Sequence, residues 1–256
     1  MITKEEIRRI ARQKGIPAGI IEKDYVLGWL LYGISRSNLK NILIFKGGTA
    51  LSKIYFPKLW RLSEDLDFTS TTKIDKKELK LELENIFKII YENSGIEFNL
   101  DTIHAIEEHI IINIQFIGPL GGKNRTRLNI RLREKIILPT EERTVINIYS
   151  DDPKIKIIVY SLNEIFSEKL RSILEREKTR DYYDVWRLLK NCDFDLEEIK
   201  KLVRLKLRNK EFTIESIFNE EKLSSIKNYW ERGLRHLTKD LPDFDTVIAD
   251  LKQTLI

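Results

Sequence analysis

With 256 residues, 42% of them hydrophobic and 33% charged, the chain can bury one or two cores and is too apolar to be disordered. Forty-five Lys and Arg against 40 Asp and Glu leave a formal charge of +5, which permits a polyanionic partner without specifying one. One cysteine, Cys192, three scattered histidines, a longest apolar stretch (Val26 to Ile34) about half a membrane span and an opening MITKEEIRR without an apolar run exclude a disulfide scaffold, argue against a zinc cluster, and make the cytoplasm, with no membrane partner, the expected compartment.

In chain order, Thr3 followed by Glu6 is a capping-box pattern for a short helix, and Ile16-Pro17 restarts a longer one carrying Ile20, Ile21, Tyr25, Leu27, Leu30 and Leu31. Asn41 to Phe45 is a short apolar run ending at Lys46-Gly47-Gly48-Thr49, after which Ala50, Leu51 and Ile54 have helical spacing: strand, glycine turn, helix. Pro57 stops that helix. Leu66 and Phe68 then alternate with Asp65, Asp67 and Thr69 as in a half-buried strand. Asp75 with Glu78 caps a helix over Leu79 to Tyr91, and β-type runs follow at Ile96 to Leu100 and Ile110 to Ile117. In RTRLNIRLRE, Leu128, Ile130 and Leu132 share one face while Arg127, Asn129, Arg131 and Arg133 form an arginine ladder on the other. Two more strands are expected at Thr144 to Tyr149 and Ile155 to Tyr160. Ser161 with Glu164 then opens a helix holding Glu168 and Lys169, and only helices follow. The expected division is a mixed core, with N-terminal helices, over 1–160 and a helical domain over 161–256.

The segment FKGGTALSKIYFPKLWRLSEDLDF, Phe45 to Phe68, sets a glycine turn at a helix start ahead of a D-x-D pair. A Gly-Gly-Thr turn lets backbone N–H groups approach phosphate oxygens without Cβ obstruction, and Thr49 adds a hydroxyl. Aspartates at i and i+2 of a strand project to one face, so Asp65 and Asp67 can share magnesium ions. Either motif alone is commonplace; the two in this order suit phosphoryl or nucleotidyl transfer. No Gly-Lys-Ser/Thr ends the turn, so it is not a P-loop.

The run Gly47-Gly48-Thr49-Ala50-Leu51-Ser52-Lys53, then Arg61-Leu62-Ser63-Glu64-Asp65-Leu66-Asp67-Phe68, resembles the signature of the AbiEii/AbiGii toxin family of nucleotidyltransferases. Ser167-Glu168-Lys169-Leu170 and Thr179-Arg180-Asp181-Tyr182-Tyr183-Asp184-Val185 are similar to that family's later motifs. The resemblance implies an α+β, polymerase-β-like core with a mixed sheet. It also implies a toxin that transfers a nucleotide from an NTP to RNA, with tRNA the preferred acceptor, magnesium-dependent release of pyrophosphate, and a cognate antitoxin as partner. By position it implies a triphosphate at Gly47, Gly48, Thr49, Lys53 and Ser63, magnesium at Asp65 and Asp67, Lys169 neutralising phosphate charge, and Asp181 or Asp184 completing the site.

One departure from the polymerase-like pattern is that no acid stands on the polar face of the Arg127 to Arg133 strand, where a third metal-binding carboxylate would be expected; Glu134 or a later aspartate is the available substitute. That face and a second basic cluster, Lys200, Lys201, Arg204, Lys206, Arg208 and Lys210, are candidate phosphate contacts, each weighed against a merely solvated surface. Two alternatives stay open: a small-molecule nucleotidyltransferase of the aminoglycoside-modifying type, and an inert relative that binds nucleotide, RNA or antitoxin.

Overall fold

Helices with one apolar stripe and strands with one apolar face have to cover each other, and the first 160 residues alternate between the two. The computed structural model describes residues 1–151, 153–207 and 213–256. They form two compact units, Met1–Glu134 with Pro139–Tyr160, and Lys135–Leu138 with Ser161–Ile256.

The first unit runs α1 (Lys4–Lys14), α2 (Ala18–Ser35), β1 (Leu43–Lys46), α3 (Gly47–Ala50) continuing into a π-helical turn at Leu51–Tyr55, β2 (Asp65–Ser70), α4 (Lys76–Ser94), β3 (Glu97–Ile106), β4 (His109–Ile117), β5 (Lys123–Leu132), β6 (Glu141–Val145) and β7 (Ile155–Val159). The strands make one seven-stranded sheet in the order β3-β4-β5-β2-β1-β7-β6. β2 is parallel to β5 and β1 to β7, and the other pairs are antiparallel, giving the mixed α+β architecture expected. Phe45, Leu66, Phe68, Leu128, Ile130, Ile112 and Ile114 are buried on one face. α4 covers part of that face, with the Phe87 and Phe98 rings 5.4 Å apart. The side-chain period of two then fixes the register, since a slip of one residue would bury the arginines of β5.

Two sequence patterns resolve differently from their expected form. Thr3 caps α1 by accepting from the Glu6 amide, but the Glu6 carboxylate accepts from the amide and hydroxyl of Ser150 instead of closing the box. The strand expected over Thr144 to Tyr149 is β6, which ends at Val145. Beyond it the Ile146 amide donates to the Lys53 carbonyl, Asn147 accepts from the Lys53 ammonium, and the Tyr149 hydroxyl donates to the Ile21 carbonyl and to Asp24. Those bonds draw the segment off the ladder toward α2.

The second unit contains α5 (Leu162–Glu175), α6 (Thr179–Asn191), α7 (Leu196–Lys206), α8 (Glu220–Leu234) and α9 (Phe244–Leu255). The Ser161 hydroxyl accepts from the Glu164 amide, while the Glu164 carboxylate accepts from the Ile137 and Leu138 amides at 3.0 and 3.1 Å, which ties that short segment to the helices. Tyr183, Trp230 and Phe244 lie in its core, whereas Trp186 is half-buried and donates its indole N–H to Asp250 at 2.8 Å. Among the described residues no helix is long and apolar enough to cross a membrane.

Glu22 on α2 is buried against the turn that follows β4 and accepts from the Leu120 amide at 2.7 Å. Burial pushes its carboxyl above the ordinary 4.5, against the lowering hydrogen bonds of Leu120 and Asn124. The folded protein therefore holds this proton more tightly than the unfolded chain. Its stabilising contribution is complete below pH 4.5 and is lost as pH rises through the folded value. Gln keeps an acceptor oxygen without a charge, so in denaturant titrations Glu22→Gln is expected to be more stable than the unmodified protein at pH 7, with the difference vanishing below the ordinary Glu value.

Candidate functional site

β1 delivers the chain to the glycine turn, and its antiparallel pairing with β2 sets Lys46 opposite Asp67. Gly47 has φ +80°, and a Cβ on it would stand 2.7 Å from Asp67 Oδ2. Backbone conformation and space both demand glycine there. A Cβ on Gly48 would stand 3.0 Å from Arg61 Nη2 and 3.6 Å from Ser63 Oγ. Thr49 is fully buried and its hydroxyl donates to the Asp65 carbonyl, which stitches α3 to the start of β2. Gly47, Gly48, Thr49, Ser63, Asp65 and Asp67 thus meet in one corner of the first unit. The Thr49 hydroxyl, a candidate phosphate contact, bonds the backbone in this structure.

Asp65 and Asp67 are half-buried and share a face of β2. In the parallel pairing with β5, Asp65 lies beside Arg127 and Asp67 beside Asn129, whose Nδ2 donates to Asp67 Oδ1 at 3.0 Å. The register position next to Asp67, where a third carboxylate would be sought, is therefore an amide that orients Asp67. Glu134, the substitute proposed from sequence, pairs with the Lys46 ammonium and accepts from the Thr69 hydroxyl at 3.3 Å. Lys46 also lies over the Tyr160 ring, 5.4 Å from its centroid, and the Tyr160 and Thr69 hydroxyls are 2.6 Å apart. Among the described residues no three His, Cys, Asp or Glu side chains are grouped to hold a metal. Two carboxylates on one face, with positions left to phosphate oxygens and water, nevertheless form a donor set that suits magnesium.

Lys53 is not grouped with the glycine turn's polar atoms as expected. It is 2% exposed, with its ammonium 3.0 Å from Asp24 Oδ1 and 3.0 Å from Asn147 Oδ1. Its position on the π-helical turn after α3 aims it at α2, where it forms a buried ion pair. Arg61 is a cation that does reach the turn. It is buried, donates to the Leu62 carbonyl at 3.1 Å and packs on Gly48. Arg61, Lys46 and Asn129 were all visible as residues of the motifs or of the β5 ladder. What singled them out, the cross-strand register and the glycine contacts, is not written in one strand's sequence.

In the second unit α5 carries Lys169 and α6 carries Asp181 and Asp184. The sequence left open which aspartate turns inward, and both do. Lys169 Nζ is 3.1 Å from Asp181 Oδ1 and 2.8 Å from Asp184 Oδ2, and all three side chains are buried. Arg176 adds a two-pronged contact to Asp181 at 2.8 and 3.3 Å. Burial drives the Asp181 carboxyl up, but Lys169 and Arg176 outweigh it and hold it below the ordinary range. The second basic cluster splits. Lys201 and Arg204 are exposed and Lys200 pairs with Glu197, but Lys206 is buried on Glu164 at 2.6 Å and Glu168 at 3.2 Å. Arg208 and Lys210 lie outside the described residues.

A family model described as nucleotidyl transferase AbiEii toxin, type IV toxin–antitoxin system, matches residues 29–250. The chain belongs to this family. The fold is similar to that of MenT4, a nucleotidyltransferase toxin from Mycobacterium tuberculosis H37Rv. That match has a TM-score of 0.74 and covers 100% of this chain and 89% of MenT4, at 19% identity. An uncharacterized protein of Aquifex aeolicus (strain VF5) is 34% identical over an 82-residue alignment that covers 29% of this chain and 40% of that protein's length. In this AbiEii family member the glycine turn, D-x-D pair and helical lysine all stand within the matched segment.

The Lys53 pair can be tested directly, for stability and for nucleotide contact. Lys53→Met leaves Asp24 buried with only Tyr149 as a described partner and is expected to cost about 3–5 kcal/mol of stability. The double variant Asp24→Leu, Lys53→Met should recover most of that in urea unfolding, and nucleotide affinity of the refolded double variant should match the unmodified protein.

Proposed function

We propose that the protein transfers a nucleoside monophosphate from an NTP to the terminal hydroxyl of an RNA, with tRNA the preferred acceptor and pyrophosphate released. The observation that supports this reading is the Gly47–Asp67 contact, which sets a Cβ-free glycine turn directly beside two carboxylates that share a face. Membership of a toxin nucleotidyl transferase family supports the reaction class, and its type IV toxin–antitoxin assignment implies an antitoxin partner.

In this reading the N–H groups at Gly47 and Gly48 donate to oxygens of the β- and γ-phosphates, with Ser63 and the buried Arg61 alongside. Asp65 and Asp67 would hold magnesium, which when bound screens the phosphate oxygens and lowers the pKa of an attacking hydroxyl. Asn129 keeps one oxygen of Asp67 engaged and so fixes how the carboxylate presents the other. The acceptor hydroxyl attacks the α-phosphorus in line with the departing pyrophosphate; the new P–O bond forms as the α–β bridge breaks. For Lys169 the family resemblance implies neutralisation of charge on the phosphates, and within the second unit Asp181 and Asp184 hold its ammonium.

Incubation of the protein with each labelled NTP and total cellular RNA tests the proposal, with label expected in a tRNA-sized band and in no aminoglycoside. Asp67→Asn should lower incorporation by roughly a hundredfold or more while leaving the fold intact. Near-normal incorporation by that variant would remove Asp67 from the reaction. Lys169→Met should lower kcat by a similar factor, roughly a hundredfold. Asp184→Asn should weaken it less, because Asp181 still engages the ammonium.

A further inference from the structure

The apolar face of β3, β4 and β5 is covered by α4, as the stacked Phe87 and Phe98 rings show, whereas the opposite face is charged and accessible. Lys123, Arg125, Arg127 and Arg131 of β5 are exposed on it, with half-buried Asn129 in the same row and Arg133 just beyond the strand. Across the ladder Arg125 lies opposite Gln115, Arg127 opposite Asn113 and Arg131 opposite His109. These in turn lie opposite Asn99, Thr102 and Ile106 of β3. The acids on these rows and at their margins are Glu97, Asp101, which sits 3.7 Å from Arg125, and Glu107 and Glu108 in the β3–β4 turn.

Position gives the ladder its meaning. Asp65 is the register neighbour of Arg127, Asp67 of Asn129 and Thr69 of Arg131, so Arg127 and Arg131 flank the D-x-D pair and Arg125 extends the row beyond it. Alternate residues of a strand stand about 6.8 Å apart, a step that a nucleic-acid backbone can follow one phosphate at a time. No Phe, Tyr or Trp stands on these outer rows of β3, β4 and β5; Ile106, Ile111, Ile117 and His104 share them, and the positive charge is concentrated on β5, which favours contact through phosphates over base stacking on aromatic rings. His109 is held toward its neutral form, by burial first and by Arg131, which leaves the arginines as the charge carriers.

We infer that the β5 ladder is the docking surface of the acceptor RNA, whose backbone next to the reacting end crosses from Asp65 and Asp67 over Arg127, Arg131 and Arg125. The inference rests on the RNA-acceptor reading above. Arginine favours this role because its fork binds phosphate oxygens in pairs. Contact through phosphates makes binding tolerant of sequence and steeply dependent on salt.

The test compares the unmodified protein with Arg127→Gln/Arg131→Gln, measuring labelled-NTP incorporation against RNA concentration, RNA binding across a salt series, and NTP affinity by direct titration. The double variant should raise the KM for RNA roughly tenfold or more and leave NTP affinity unchanged. It should also flatten the slope of log K against log salt by about 1.4, at about 0.7 per phosphate contact on a single strand. Arg127→Lys/Arg131→Lys, which keeps the charge, should restore most of the salt slope, and a circular dichroism melt identifies any variant that fails to fold. RNA labelling by the unmodified protein together with an unchanged KM and salt slope in the Gln variant overturns the inference alone. Loss of antitoxin binding with RNA kinetics intact also overturns it, assigning the ladder to the protein partner. If the unmodified protein labels no RNA at all, the acceptor reading fails first and the inference falls with it.

Discussion

The contact between Gly47 and the Asp67 carboxylate is the constraint on which the candidate site depends. It closes the corner between β1 and β2, because only a residue without a Cβ can turn with φ +80° and still leave the carboxylate room. Once that turn is made, α3 starts beside the D-x-D strand and Thr49 reaches the Asp65 carbonyl. The pairing of β2 with β5 then brings Asn129 to the other side of Asp67, so that one aspartate is bounded by a glycine and by an amide. Three elements distant in sequence meet on a single side chain, and each is held by backbone hydrogen bonds that do not depend on a bound metal.

The charge balance of the chain takes on a different meaning once burial is known. Four lysines that look alike in sequence, Lys46, Lys53, Lys169 and Lys206, are withdrawn from solvent and paired with acids. Burying a paired charge trades solvation for Coulomb attraction and gains little net stability, but it fixes where each group points, and losing either partner is costly. Lys169 shows the use of this: two carboxylates from the next helix hold one ammonium in place. The arginines of β5 are the opposite case, exposed along one face of a strand that pairs with the D-x-D strand.

Much of this was legible in the sequence because it was written in local patterns. Alternation of Leu128 and Ile130 with Arg127, Asn129 and Arg131 specified β5 and its faces, and the order of the glycine turn and the D-x-D pair specified the corner. The mixed α+β class followed from the same patterns, and the family's resemblance supplied the reaction class. The destinations of long side chains were not legible, since they depend on which elements become neighbours. Lys53 belonged to the motif yet turns to Asp24 on α2, and Glu134 was an unattached acid until β1 brought Lys46 to it. Thr144 to Tyr149 had a β-like composition, but Asn147 and Tyr149 found better partners off the sheet. In each case a tertiary hydrogen bond or ion pair overrode a local propensity, as expected for propensities worth only fractions of a kcal/mol per residue.

If the Gly47–Asp67 corner organises nucleotide and metal together, removing no charge but adding one methyl group should disable it. Pyrophosphate release by Gly47→Ala, measured with NTP, magnesium and RNA at a temperature where the variant remains folded, is the most direct measurement of that claim. The account predicts a loss of roughly a hundredfold or more, because the added Cβ would displace the carboxylate from its place. Release at the rate of the unmodified protein would contradict it.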